Sequence, residues 1–223
     1  MMILNNKASS IILALISGLF ASTPILASDQ DQHLKGALDL RISFGSFSQS
    51  VHYPSTEYRG IEGTPGLSYA LHLGFDIPIN NKLSVDPGAG VSIREGDIDN
   101  YGKEGGNVDY IPSIDAFILT RYRLENGNCK LIFELGPEFS WFTDPVATYY
   151  INPETDDWPG GKEKYKKWDI AIRPGITLQT GKHFQIGCET YLGLRNVEKQ
   201  YPDYNIEGNR HFFSTRIFIG WRF

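Results

Sequence analysis

The stretch LSYALHLGFDIPINNKLSVDPGAGVSI, residues 67–93, decides the fold. From Leu67 to Ile77 every second residue is apolar, and this period of two resumes at Leu83 after the short polar break at residues 80–82. Side chains on a β-strand alternate between its two faces, so the pattern predicts two strands that each carry one apolar face. A break this short is typical of a hairpin turn, and we therefore expect the two strands to be antiparallel.

Six further segments show the same alternation, and no segment shows a convincing helical period. The 13% aromatic content, the 23 glycines and the 12 prolines also suit strands and turns. The sequence therefore predicts an all-β chain of eight strands. The other six segments lie at about residues 37–44, 114–123, 131–141, 168–179, 184–195 and 213–223.

Long and short connections alternate strictly between these segments. In an up-and-down meander, this alternation places every long loop at one end and every short turn at the other. A short candidate strand within the third long loop, Ala147–Ile151, leaves ten strands as an alternative to eight. The short turns contain residues 80–82, 125–130 and 180–182, and the long connections cover roughly 46–66, 95–108, 143–167 and 196–210.

Alternation alone does not say which face points inward. A soluble, lipocalin-like barrel has its apolar face inside, whereas a membrane barrel turns it to lipid. The polar face carries eight acids and eight arginines but no lysine, and the planar guanidinium suits enclosed pairing with carboxylates. These sixteen residues are Asp39, Asp76, Asp86, Asp115, Glu134, Glu138, Asp169 and Glu189, with Arg41, Arg94, Arg121, Arg123, Arg173, Arg195, Arg216 and Arg222.

Aromatic residues near the strand ends also favour a membrane barrel, because such barrels have interfacial girdles. Turning the sixteen charges to lipid would cost up to ~2–4 kcal/mol each near mid-bilayer, so the polar face is expected in the lumen. Eight strands leave an interior just wide enough for side chains. We therefore expect ion pairs to fill the lumen and to prevent a permanent solute channel. The predicted girdle residues are Tyr69, Tyr122, Trp141, Trp168, Trp221 and Phe223.

The N-terminal segment has the organisation of a secretory signal. Lys7 precedes an apolar run from Ile11 to Phe20, and the less apolar residues 21–27 follow. The run is too short to cross ~30 Å of hydrocarbon as a helix. We predict a signal peptide at residues 1–27, cleaved after Ala27, and one barrel domain at residues 28–223; no transmembrane helix is predicted after Ala27.

Charge and residue spacing argue against several kinds of chemistry. The 223 residues have a formal net charge of −5, which excludes a sequence-independent nucleic-acid binder. Cys129 falls in the turn before the fifth strand and Cys188 within the seventh; because the fifth and seventh strands are not neighbours, we expect no disulfide. Asp97, Asp99 and Asn100 suggest a calcium loop but lack the closing glutamate of an EF-hand. We predict no catalytic residue, no metal site and no cofactor.

Two features leave functional alternatives open. His211 and Ser214 are three residues apart, so they face opposite sides of a strand and do not form a nucleophile–base pair. The alternation of Lys162, Lys164, Lys166 and Lys167 with aromatic residues at the end of the third long loop suggests either a solvated loop or contact with lipopolysaccharide phosphates.

The last strand, FFSTRIFIGWRF (residues 212–223), ends on an aromatic residue and has apolar residues at every second position before it. In this it resembles the terminal signature of small outer-membrane β-barrel proteins of Gram-negative bacteria. Residues 74–96, GFDIPINNKLSVDPGAGVSIREG, are similar to a strand–turn–strand unit of the porin-family, PorT-like barrels common in Bacteroidetes. The resemblance covers residues 28–223. It implies an outer-membrane location, insertion by the barrel-assembly machinery, both termini in the periplasm and long loops facing outward.

The sequence thus predicts an eight-stranded antiparallel transmembrane barrel with a structural or surface-interaction role and no enzymatic activity. Its expected partners are outer-membrane lipid, lipopolysaccharide and an extracellular ligand or protein that contacts the loops. The alternatives are a lipid-modifying outer-membrane enzyme and a small channel or secretion accessory.

Overall fold

The computed structural model describes residues 36–52, 66–98, 107–143, 166–197 and 209–223. These residues form eight strands within the compact unit Leu34–Phe223. Among them, no helix has the length and apolar character needed to span a membrane. The strands are β1 (Ala37–His52), β2 (Gly66–Pro78), β3 (Leu83–Ile98), β4 (Asn107–Asn126), β5 (Cys129–Phe142), β6 (Trp168–Thr180), β7 (Phe184–Gly193) and β8 (Asn209–Arg222).

The strands close into a barrel in which each pairs with the next and β8 pairs with β1. All eight pairings are antiparallel; at the closing seam Leu40 lies opposite Trp221, and the backbone N–H of Phe223 donates to the carbonyl of Leu38 at 2.9 Å. Closure leaves no unpaired sheet edge, as a bilayer requires. The predicted eight-stranded meander is confirmed, and so is the alternation of long and short connections.

The three short turns lie at one end of the barrel, and their residues have the conformations that are typical of tight turns. The Asn80 side chain accepts hydrogen bonds from the backbone N–H groups of Lys82 and Leu83, both at 2.9 Å. Gly127 has a φ of 59° and Gly181 a φ of 63°, a left-handed conformation that favours glycine in tight hairpins. These residues fix the register of the three hairpins.

The exterior of the barrel is apolar and its interior is polar. Ile118, Leu135 and Ile219 are each more than half exposed, whereas all eight predicted acids and six of the predicted arginines are buried. The predicted orientation is confirmed, and the soluble alternative with an apolar interior is wrong. Aromatic girdles lie at both ends: Tyr69, Trp141 and Trp168 towards the long connections, and Tyr122, Trp221 and Phe223 towards the turns.

Several strands extend beyond their predicted ends. β1 continues to His52, β3 reaches Ile98, and β4 begins at Asn107. The backbone ladder continues past the apolar band, where nothing requires the exterior to be apolar, and the alternation signal fades there. Cys129, predicted within a turn, is the first residue of β5 and lies opposite Asn126.

Several predictions concern residues outside those described. They include the signal peptide at residues 1–27, the extra strand Ala147–Ile151, the candidate calcium residues Asp99 and Asn100, and the lysines Lys162 and Lys164.

We predict that replacing Ile118 by arginine lowers the free energy of unfolding in lipid vesicles by about 2–4 kcal/mol, because the side chain faces lipid in the middle of β4. The matched control Ile77→Arg, also lipid-facing but one residue from the end of β2, should lose only about 0–1 kcal/mol. Equilibrium urea titration measures both, and equal losses would contradict the orientation.

Candidate functional site

The lumen contains most of the charged side chains among the described residues, and one group of them closes the end with the short turns. Arg222 donates to both carboxylate oxygens of Asp39, at 2.8 Å each, and to Asp76 at 2.9 Å. Arg123 also donates to Asp76, which accepts a further bond from the Ser84 hydroxyl at 2.5 Å. These ion pairs form a polar floor across β1, β2, β3, β4 and β8.

Above this floor, Arg121 is buried and in close contact with three carboxylates, while a fourth, that of Asp76, lies 3.6 Å away. Its guanidinium lies 2.5 Å from Asp39, 2.5 Å from Asp86 and 2.9 Å from Glu134. Glu134 also accepts a bidentate pair of hydrogen bonds from Arg41, at 2.7 and 2.6 Å. Bidentate, charge-assisted bonds of this kind fix both partners in one orientation. Because Arg41 lies on β1 and Glu134 on β5, this pair spans the lumen between opposite strands.

The middle of the lumen is organised around Arg173. This guanidinium pairs with Glu138 at 3.0 Å and also with Glu189, which lies 3.0 Å from Arg216. Nη2 of Arg173, the nitrogen that pairs with Glu189, also lies 3.1 Å from Nδ1 of His72. The histidine ring packs against the backbone of Gly90, where an added Cβ would lie 2.3 Å from the ring. Because glycine has no side chain, it leaves room for the ring at this position.

Inward-facing aromatic rings separate the ion pairs. Three arginines stack over such rings, an arrangement in which the face of the ring attracts the cation. The rings occupy the space between charged groups and leave less room for water. The stacked pairs are Arg41 with Phe218 (4.6 Å from guanidinium carbon to ring centroid), Arg94 with Tyr191 (4.3 Å) and Arg173 with Phe117 (4.5 Å).

Towards the long connections the lumen is filled by apolar side chains, which we call the apolar plug. Phe47, Phe142 and Phe212 pack in edge-to-face contacts of 5.3 and 5.6 Å between ring centroids. The expectation that ion pairs fill the whole lumen is therefore wrong at this end. Every second residue of β1 faces inward, and continuing this alternation from Arg41 and Ser43 would have predicted that Phe47 also lies in the lumen. The plug consists of Phe47, Ile111, Phe142, Ala171, Tyr191, Val197 and Phe212.

Arg195, predicted to lie in the lumen, is not part of the luminal ion-pair network. It follows the end of β7, and its guanidinium carbon lies 3.4 Å from the centroid of the Trp168 ring. It also donates to the Trp168 carbonyl at 3.1 Å. Lys166 lies beside it, with its Nζ donating to the Asn196 carbonyl at 2.9 Å. This group, Lys166, Trp168 and Arg195, forms a basic and aromatic rim at the end with the long connections.

Other residues singled out in the sequence remain apart. Ser214 is buried in the lumen, whereas His211, three residues earlier, is half-buried. The two side chains therefore lie on opposite faces of β8. Cys129 and Cys188 are both exposed free thiols on β5 and β7, which are not adjacent. His72, Asp115 and Glu138 bring three donor atoms suited to a metal within 4.8 Å of one another. Sequence spacing did not predict this cluster, because its members come from three strands.

An antiparallel barrel with an apolar exterior, aromatic girdles and a buried ionic interior is a transmembrane β-barrel. A family model, outer membrane protein beta-barrel domain, matches residues 33–199, and the chain belongs to this family. The protein is therefore located in the cell outer membrane. The narrower PorT-like affiliation stays a prediction, and no curated protein matches the sequence.

The solved structures that this chain matches share little sequence with it. OprG from Pseudomonas aeruginosa is 15% identical with a TM-score of 0.48, and the match covers 86% of this chain and 97% of OprG. The outer membrane enzyme PagL is 14% identical with a TM-score of 0.47, covering 82% of this chain and 97% of PagL. Ail of Yersinia pestis, solved with the heparin analogue sucrose octasulfate, is 12% identical with a TM-score of 0.37, covering 83% and 99%.

We predict that Arg121→Met lowers the free energy of unfolding by about 3–5 kcal/mol, because three buried carboxylates lose a shared partner. Lys130→Met is the control: its ion pair with Glu125, at 2.7 Å, is solvated, and its loss should cost about 0–1 kcal/mol. Urea titration of both variants in vesicles measures the difference. Similar losses would show that Arg121 does not hold the lumen together.

Proposed function

We propose that this protein is a non-enzymatic outer-membrane anchor that presents four long connections at the cell surface and does not conduct solutes. The observation that carries this proposal is the filled lumen. Ion pairs such as Arg41 with Glu134 span its width, and the apolar plug occupies the end with the long connections. A barrel filled in this way is a rigid scaffold. Its binding function is then carried by the long connections between the strands.

The channel alternative finds little support in this arrangement. A polar solute would have to break the bidentate Arg41–Glu134 pair and then cross the ring contacts of Phe47, Phe142 and Phe212. Breaking a buried pair leaves uncompensated charges, at a cost of about 3–5 kcal/mol. Both layers favour a closed barrel over a permanent pore.

The enzyme alternative is also weakly supported among the described residues. A lipid-modifying enzyme needs a nucleophile and a base that converge at the outer edge of the barrel. Ser214 and His211 face opposite sides of β8, and His72 is buried deep in the lumen, away from lipid. No described histidine lies within hydrogen-bond distance of a serine hydroxyl in this structure.

Contact with the outer leaflet is the interaction that the rim supports best. Arg195 is held over the Trp168 ring, and Lys166 is fixed by its bond to Asn196. An amphipathic indole next to two cations suits the level at which lipid phosphates meet the acyl chains. We infer that lipopolysaccharide phosphates are the partner of this rim.

The closing strand supports the proposed assembly route. β8 ends in a half-buried Arg222 and an exposed Phe223, and outward-facing Trp221, Ile219 and Ile217 precede them at every second position. These side chains form an apolar stripe along the outer face of β8. We infer that the barrel-assembly machinery recognises this stripe during insertion.

The mature barrel is predicted to give no discrete conductance steps in planar bilayers, because ion pairs and the plug fill its lumen. Insertion is verified separately by the heat-dependent mobility of the folded barrel on gels. Phe142→Ala combined with Phe212→Ala should also be silent, since the Arg41–Glu134 pair below the plug still spans the lumen. Stable, reproducible steps from the wild-type barrel would refute the closed anchor.

The rim makes a second prediction. Adding lipopolysaccharide to the vesicles should stabilise the wild-type barrel, and Arg195→Gln should reduce this gain by about 1 kcal/mol. Lys82→Gln removes one charge at the opposite end, in the exposed turn, and should leave the gain unchanged. Unfolding midpoints with and without lipopolysaccharide provide the measurement. If both variants behave alike, the rim has no special role.

A further inference from the structure

Three buried side chains meet in the lumen, and two of them, His72 and Glu138, also contact Arg173. His72 comes from β2, Asp115 from β4 and Glu138 from β5, and each is at most 1% exposed. Their donor atoms all lie within 4.8 Å of one another. One atom of each side chain has no hydrogen-bond partner among the described residues: Nε2 of His72, Oδ2 of Asp115 and Oε1 of Glu138.

The other oxygens of the two acids already have partners. Oδ1 of Asp115 accepts from the Ser113 hydroxyl at 2.9 Å, and Oε2 of Glu138 accepts from Arg173 at 3.0 Å. The spare oxygens are therefore held in place by bonds made on the opposite side of each carboxylate. A buried polar atom without a partner is destabilising, so three of them in one cluster call for a common ligand.

We propose that this cluster binds a divalent metal ion, with Zn²⁺ as the best match to its donors. Imidazole nitrogen and carboxylate oxygen both bind zinc, and three protein ligands leave the fourth position open to water. Nε2 of His72 lies 3.7 Å from Oδ2 of Asp115. Two ligands at ~2.0–2.1 Å from a tetrahedral zinc ion lie about 3.4 Å apart, so this pair needs only a small contraction.

The local charge is compatible with a cation. The only ion pair of Asp115 among the described residues is with the His72 ring, which carries no charge when neutral. Glu138 is paired with Arg173, and its spare oxygen is 3.9 Å from Arg94, a distance at which the guanidinium forms no hydrogen bond. A metal ion would thus provide Asp115 with a positively charged partner.

Metal binding must change the position of the His72 proton. Arg173 can only donate, and it lies 3.1 Å from Nδ1, so the neutral ring carries its proton on Nε2 when no metal is bound. Zn²⁺ needs the Nε2 lone pair, and the proton then sits on Nδ1. Oε1 of Glu189 lies 3.7 Å from Nδ1 and must move closer to accept a hydrogen bond from it. The result is a carboxylate–histidine–metal arrangement in which Arg173 keeps its bonds to Glu138 and Glu189.

The test is a refolding experiment, because the buried cluster must be loaded while the barrel forms. The full mature chain carries Cys129→Ser and Cys188→Ser, since exposed thiols also bind zinc. It is refolded into detergent with Zn²⁺ or with EDTA, desalted in EDTA and analysed by mass spectrometry for metal. We expect about one tightly held zinc per folded barrel, and ¹⁵N spectra in which the protonated nitrogen of His72 changes from Nε2 to Nδ1.

His72→Gln and Glu138→Gln should each reduce the retained zinc at least tenfold. The control Asp86→Asn also removes a buried negative charge, but Asp86 contacts Arg121 and lies outside the cluster, so it should keep the metal. A folded wild-type barrel that retains no zinc and has an unchanged His72 proton overturns the proposal, because a bound water then satisfies the three atoms. Equal retention by His72→Gln also overturns it, since the metal would then lie elsewhere. The wild-type result decides the question even if a variant does not fold.

Discussion

The structure depends on arginine–carboxylate pairs that cross a narrow lumen. Arg41 on β1 forms a bidentate pair with Glu134 on β5, which is the opposite strand of the barrel. Arg121 on β4 pairs with both Glu134 and Asp39, the latter on β1. Such pairs tie together strands that share no backbone hydrogen bond. A slip of one residue in any strand would move its charges to the lipid side and its apolar residues into the lumen. The ion pairs therefore fix register and orientation together.

In this protein lipid takes the place of a hydrophobic core for most of the apolar surface. The large apolar side chains that face outward, such as Ile118 and Leu135, pack against acyl chains instead of one another. The apolar plug is an exception: its buried rings pack as they would in a soluble protein. Specificity along the rest of the barrel comes from polar pairs, which tolerate few alternative arrangements because an unpaired buried charge is strongly destabilising.

The fold could be read from the sequence because its physical rule is simple. A period of two, the alternation of long and short connections, and arginine without lysine on the polar face are together enough to define a closed membrane barrel. The site was less accessible. Arg195 continues the every-second-residue pattern of inward-facing side chains on β7. It lies beyond the end of that strand, however, where this pattern no longer determines which way a side chain points. The cluster of His72, Asp115 and Glu138 depends on pairings across three strands, which no spacing along one strand reveals.

A filled lumen also determines where function can evolve. Inward arginines contact partners from several strands, as Arg173 contacts Glu138, Glu189 and His72, so a change there disturbs several bonds at once. Among the described residues, the side chain of the rim residue Arg195 contacts Trp168, so substitution there disturbs one ring contact and one hydrogen bond. New binding properties can therefore arise at the rim and in the long connections at small cost in stability. By the same reasoning, a ligand inside the lumen has to be small enough to complete the network without displacing a side chain, which a single metal ion satisfies.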